Sequence, residues 1–393
     1  MDHHAGASSG LPRSPRRRAT GRFWTVLALL ALFIVALLAM RLLFDRPTAV
    51  QGTQGYAYGQ VERLSRNGQT ARVRLDSGVV VTAQANSNQG QGVSPSLASH
   101  YKPGDRVQLA YFLGPKHTMV YAISDYQRGP QLLWLVLLFI GVAALVGRGK
   151  AIRAIVGTAA GLAIVLSVVI PAVLHGANPV LMALAGSGGI LVLSVYFVHG
   201  LNGKSTAALV GTLATVLVAL VVGDIFLHLA HITDFGTEES MYLVSGAPKL
   251  NIQGLVLAAV AIGALGALVD ITVGQASAVA ELAHLGGPEM SLAELYHRAM
   301  NVGFDHIGSL INTLVLAYVG ANLPLLAVLV LLGQGWQENL NTELVGVALV
   351  QAVVGAIALV LAVPLTTFVA AALFRSGRFE AELASATGHH HHH

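Results

Sequence analysis

The chain has 393 residues, of which 54% are hydrophobic and only 11% charged, and its mean hydropathy is +0.66. A soluble domain carries about 25% charged residues, so this composition excludes an ordinary soluble enzyme and indicates a polytopic membrane protein. There is no cysteine, which rules out disulfides and thiolate metal sites; the net charge of +4 comes from basic residues near apolar spans, which speaks for topology and against a nucleic-acid partner.

Residues 1–21 form a basic leader with Arg13, Arg16, Arg17 and Arg18, predicted to be disordered. Residues 22–45 hold a first anchor, with an apolar run from Phe23 to Phe44. That run exceeds the ~7–15-residue core of a signal peptide and lacks a small-residue cleavage site, so it is predicted to span the membrane with its N-terminus in the cytoplasm.

Residues 46–130 change character. Five β-like runs, QGYAYGQVERL, QTARVRLDSG, VVVTAQAN, GDRVQLAYF and TMVYAISDYQR, alternate with turn signals such as LDSG and KPGD. Five short strands predict a small OB-type β-barrel, placed outside the cytoplasm by the preceding anchor. Its tyrosines, Tyr56, Tyr58, Tyr111 and Tyr121, are read as packing residues.

Residues 131–375 form a helical membrane domain, with apolar spans near 131–147, 151–174, 178–198, 204–227, 252–273, 307–332 and 344–374. With the anchor, about eight spans are expected. Arg148, Lys150, Arg153, Lys204, Arg298, Arg375 and Arg378 fall inside, and the acidic loops 234–240 and 337–343 outside. Between 275 and 300 a helix end, a break and a short surface helix are expected. Residues 376–393 are a tail, and Gly388 to His393 reads as a purification tag.

Two aspartates lie in apolar stretches, and each heads a polar stripe at helical spacing. On the first helix Asp270 is followed by Gly274, Ser277, Glu281 and His284; on the second, Asn301, Asp305, Gly308, Ser309 and Asn312 share a face. Carboxylates in hydrocarbon are costly and mark functional candidates, and the two stripes are expected to face each other. Their oxygen-rich chemistry suits Na⁺, Mg²⁺, Ca²⁺, Mn²⁺ or a relayed proton, with the carboxyl pKa raised by burial. Interhelical hydrogen bonding is the structural alternative. Asp224, His228, His231 and Asp234 form a second cluster whose Asp and His spacing suits a transition metal. Its place at the end of a span also suits an interfacial cap. Glu281 and His284 read more simply as a solvated helix end than as a gate.

GLNGKST (200–206) lacks the first glycine of a phosphate-binding loop, and Val198 stands there. No HExxH or nucleotide fingerprint is present, and the GASSG of residues 6–10 lies in the polar leader, so no catalytic residue is assigned. The Pro171 region and the glycines of ALAGSGGI fit either ion-coordinating breaks or close helix packing.

GALGALVDITVGQASAVAEL and MNVGFDHIGSLINTLVLAYVG resemble the YibE/F-like family of bacterial membrane proteins over roughly residues 130–375, with a looser likeness in the barrel and anchor. Ser309 stands where the family pattern has Thr, and Gln275 where it often has an apolar residue. The resemblance implies a multi-span protein of the bacterial inner membrane and carries architecture, not mechanism. The expected function is secondary transport of an inorganic cation through Asp270, Asp305, Ser277, Asn301, Ser309, Asn312 and Asp224, with a possible homodimer in membrane lipid and no cofactor beyond the ion. A channel, or a non-catalytic scaffold that recruits an envelope partner through the barrel, are the alternatives.

Overall fold

The computed structural model describes residues 55–66, 68–85, 101–114, 118–233, 238–247, 249–287, 289–333 and 335–376. The basic leader, the first anchor, Asp234 and the C-terminal tail lie outside these residues. The chain divides into two compact units: a barrel with the start of the first described helix, up to Ile152, and the helices from Arg153 onward. This division falls inside a helix, between Ile152 and Arg153.

In the first unit, strands β1 (Gly55–Leu64), β2 (Thr70–Leu75), β3 (Val80–Ala85), β4 (Arg106–Leu113) and β5 (Met119–Tyr126) close into a barrel in the order β1-β2-β3-β5-β4. All pairings are antiparallel except β3 with β5. All five predicted runs are strands, and the closure leaves no open sheet edge. Alternation decides what goes inside: Val61, Val73, Val107, Leu109 and Ile123 fill the interior, each at most 2% exposed. The Lys102–Asp105 turn is set locally. Lys102 N donates to Asp105 Oδ2 at 2.7 Å, and Gly104 takes φ 101°, a conformation that favours glycine.

The barrel leaves through Asp125-Tyr126-Gln127-Arg128. Arg128 Nη1 donates to Asp125 Oδ2 at 2.5 Å, and its guanidinium lies 5.7 Å from the centroid of the Tyr126 ring, which in turn packs 4.8 Å from Tyr101. The Arg128 hydrogen bond, joined by one from the Tyr126 N–H, holds the Asp125 carboxyl below its ordinary range. Burial raises the Tyr101 hydroxyl.

Six helices are long and apolar enough to cross a membrane. They are α1 (Gly129–Leu174), α2 (Pro179–His199), α3 (Gly203–Leu229), α5 (Ile252–Gly286), α6 (Leu292–Ala321) and α9 (Glu343–Arg375); shorter helices are α4 (Glu238–Gly246), α7 (Leu323–Leu332) and α8 (Trp336–Leu340). The count of eight is therefore not reproduced among the described residues: the anchor lies outside them, and the spans expected at 131–147 and 151–174 form one element bent at Arg148 (φ 50°, ψ −142°). A π-helical turn, Val165–Val169, precedes Pro171, a residue that cannot donate into an α-helical ladder.

The region between the two polar stripes departs from expectation. α5 runs unbroken to Gly286 and ends at Gly287 (φ 65°). Ser291 then caps α6 by accepting from Glu294 N at 3.1 Å, and α6 continues without a break through Asp305 to Ala321. A serine N-cap and a good helical sequence absorb the expected short surface helix into the span. The run predicted as one span at 307–332 is instead divided at Asn322, just before Pro324.

The helical unit is built around α5, which packs on α2, α3, α6 and α9. Small residues set the approach. A Cβ at Gly211 would collide with Thr366, one at Gly223 would meet Leu257 at 2.8 Å, and one at Gly186 would meet Val169 at 2.6 Å. Gly186, in the ALAGSGGI stretch, thus serves close packing of α2 against α1.

Candidate functional site

Contacts fix the directions and levels of the helices. Gln275 Nε2 donates to Ala299 O at 2.9 Å, and a Cβ at Gly263 would lie 3.4 Å from Tyr318 Oη, so α5 and α6 run antiparallel in a set register. Interpolation between these contacts puts Asp270 level with Ile307, and Asp305 level with Ile271. The two carboxylates are thus within about one turn, ~5 Å, of each other in depth. Each lies near the midpoint of its helix.

A buried polar layer lies within about two turns of this level. Gln275 is 2% exposed and donates also to Thr367 Oγ1 at 2.7 Å. Thr212 and Thr272, both fully buried, bring their hydroxyls to 2.7 Å. Thr366 Oγ1 is buried among them with no hydrogen-bond partner. These residues join α3, α5, α6 and α9. Of this layer the sequence reading singled out Gln275 alone; Thr212, Thr272, Thr366 and Thr367 were missed.

The carboxylates are not part of that layer. Asp270 and Asp305 are both exposed on the outside of the helical unit, as are Asn301, Ser309 and Asn312, while Ser277 is half-buried. α6 packs through Leu295, Ala299, Met300 and Gly303. Asp305 is two residues beyond Gly303, about 200° around the helix, so its stripe faces away from the packed side. The expectation that the two stripes face each other within one chain is corrected: α6 turns its aliphatic and small-residue side to α5 and α9, and keeps its polar side outward.

Asp224 and His228 sit near the end of α3, both exposed. His228 Nδ1 lies 2.8 Å from Asp224 O and 3.5 Å from Asp224 Oδ1. His231 follows the helix end at φ 51°, off the helical spacing that would have placed it with them. Among the described residues no group of three His, Cys, Asp or Glu side chains could hold a metal ion. The predicted Asp224, His228 and His231 metal triad is thus reduced to a pair, with Asp234 outside the described residues. Glu281 is exposed and His284 half-buried near the end of α5.

The two stripes and the buried layer all fall within residues 135–376, which match the family model for YibE/F-like protein. The chain belongs to the YibE/F-like family. No curated protein and no solved structure matches it. The YibE/F-like region begins within α1, so the barrel is outside it. It ends one residue past α9 and includes Asp224, Asp270, Asp305 and Gln275.

Several basic residues in this region gather at one end. The antiparallel pairings put Arg153, Lys204, Arg298 and Arg375 toward one end of the helical unit. At the opposite end Thr233 Oγ1 donates to Glu343 Oε1 at 2.8 Å, with the Thr233 N–H on the same oxygen.

Proposed function

We propose that this protein is a secondary transporter of an inorganic cation, either a divalent metal or Na⁺, coupled to protons. Asp270 and Asp305 are its ion- or proton-carrying groups, and Ser277, Asn301, Ser309 and Asn312 complete the oxygen ligand set. The observation that carries this reading is the shared mid-span depth of the two carboxylates on adjacent antiparallel helices. Insertion scales put a carboxylate at the bilayer centre at about 2.5–3.5 kcal/mol, so two cost about 5–7 kcal/mol. A bound cation or a shared proton offsets that cost, whereas packing alone gives no reason for two acids at one level. Hard carboxylate, amide and hydroxyl oxygens suit Na⁺, Mg²⁺, Ca²⁺ or Mn²⁺. Asp224 and His228, at the end of α3, then form part of the ion's route at the membrane face.

The location is the bacterial inner membrane with eight spans: the first anchor, α1 counted as two crossings, and α2, α3, α5, α6 and α9. At ~1.5 Å per residue α1 is ~69 Å long, against ~30 Å of hydrocarbon, which supports two crossings divided at Arg148. The basic end of the helical unit is cytoplasmic by the positive-inside rule. The N-terminus is then cytoplasmic and the barrel outside.

The test is flux in proteoliposomes loaded with a cation indicator and a pH dye. Wild type moves Mn²⁺ or Na⁺ with a linked pH change; an Asp270→Asn, Asp305→Asn double variant loses at least tenfold in rate. Full flux in the double variant overturns the proposal. Current without a linked pH change identifies a channel instead.

A scaffold that binds an envelope partner is the second reading. It is favoured by the barrel surface, where Tyr56 and Tyr58 stand 57% and 43% exposed on one face of β1. Deleting residues 46–130 discriminates: a lost cellular phenotype with flux intact supports the scaffold.

A further inference from the structure

One side of the helical unit is open. The face of α5 that none of α2, α3 and α9 covers carries Gly263, Gly266, Asp270, Gly274, Ser277 and Glu281. Beside it, α6 has its buried residues confined to its first half, and its outward face carries Asn301, Asp305, Ser309 and Asn312. A Cβ at Gly266, Gly274 or Gly308 would meet nothing within 4 Å. At mid-span this surface contacts lipid or another polypeptide, and lipid tails satisfy none of its polar groups.

We infer that a second copy of this chain covers the α5–α6 face, so that the carboxylate site is completed across a two-fold axis between protomers. The inference rests on the transporter reading for the role of the carboxylates, and on its own observations for the interface. Three of these select a second copy. Asn301 and Asn312 amides and the Ser309 hydroxyl each donate and accept, so this surface is complementary to itself. A two-fold interface brings just such like surfaces together. The glycines of the α5 stripe allow close approach of a neighbouring helix. The first anchor, another candidate, is Phe23 to Phe44; it has no Asp, Asn or Ser, and its single charge, Arg41, is three residues from its end. It cannot supply partners for mid-span amides and acids. Pairing also gathers carboxylates from both protomers. These repel unless a cation or protons lie among them, so dimerisation and cation binding reinforce one another.

The absence of cysteine makes the test direct. Single-cysteine variants Asn312→Cys, Gly266→Cys and, as a control on the exposed outer face of α3, Val221→Cys are reconstituted as full chains in lipid vesicles and oxidised with copper phenanthroline. The expected result is at least tenfold more disulfide-linked dimer for Asn312→Cys and Gly266→Cys than for Val221→Cys. Gly274→Leu, which adds bulk where the chain has no neighbouring atoms, should keep the wild-type melting temperature to within a few degrees. In vesicles holding few labelled chains it should shift photobleaching from two steps to one. Equal cross-linking at all three positions overturns the inference. So does two-step bleaching of Gly274→Leu, or a monomeric cross-link between Asn312→Cys and Leu30→Cys in the anchor. The two readings fail separately: dimers without ion flux sink the transporter and keep the interface, whereas flux from vesicles that bleach in one step does the reverse.

Discussion

Gln275 Nε2 donates to Thr367 Oγ1 at 2.7 Å, which ties α5 to α9 roughly one and a half turns from the level of Asp270 and Asp305. The same amide nitrogen donates to Ala299 O and so holds α6 to the pair. One side chain therefore fixes three helices close to the level where Asp270 and Asp305 are displayed on the outside.

Replacing Gln275 by Leu should lower stability modestly. Interhelical hydrogen bonds in membranes contribute about 0.6 kcal/mol on average and at most about 1.7. Ala299 O keeps its helical partner, and Thr367 Oγ1 still donates to Val363 O at 2.7 Å, so no hydroxyl proton is orphaned. Thermal melting in detergent should show a fall of a few degrees. A loss of folded protein would mean that the amide does more than join helices.

Gly211 is the tightest helix contact in this layer. Its added Cβ would overlap Thr366 Oγ1 and come within 3.0 Å of Thr366 Cα. Gly211→Ala should destabilise by about 1–3 kcal/mol, the usual cost of overpacking. Thr366→Ala removes both the overlapped atom and a buried hydroxyl without a partner. It should therefore be near neutral alone and recover part of the loss in the double variant. A melting-temperature cycle checks this, and strict additivity of the two changes would contradict the contact.

The barrel exit gives a pH prediction with a definite sign. Asp125 has its carboxyl lowered from the ordinary 3.8, first by the Arg128 hydrogen bond and then by the Tyr126 N–H. A group whose folded pKa is depressed stabilises the fold above its unfolded value and loses that contribution as pH falls through the folded one. Both side chains are more than half exposed, so the effect is small and screened by salt. Arg128→Gln should lower the melting temperature at pH 7, and the gap from wild type should close below about pH 3. A gap that is constant from pH 7 to pH 2 would assign it to the Tyr126 ring contact instead.

Much of this was legible in the sequence, and what was not has identifiable causes. The five strands follow period-2 alternation, which water enforces by leaving one face wet. In the helical unit the surroundings are as apolar as the core, so periodicity does not say which face is inside. That is why the Asp305 stripe was expected to face α5 although α6 packs through Gly303 and Ala299. The threonine layer was hidden for a different reason. Thr212 donates to Ala208 O and Thr367 to Val363 O, within their own helices, so threonine is an unremarkable residue in a span and gives no signal of the partner it meets. Asp270 and Asp305 were visible because a carboxylate stands out in an apolar run of sequence.

A cation held between Asp270 and Asp305 groups binds the folded chain and not the unfolded one, so it should raise the melting temperature. At one hundred times its dissociation constant the stabilisation is about 2.7 kcal/mol. Carboxylates must be deprotonated to act as ligands, so protons compete, and the gain from added cation should shrink as pH falls. Titrating Mn²⁺ and Na⁺ against thermal melting at pH 8 and pH 5 separates this from general salt effects. Wild type should gain stability with one ion at micromolar to millimolar concentration, more at pH 8 than at pH 5. Asp270→Asn and Asp305→Asn should each lose most of that gain while melting normally without the ion, because both side chains lie on the outside of the fold and support no packing. A gain that persists unchanged in both variants would place the ion elsewhere, with Asp224 and His228 at the end of α3 the next pair to test.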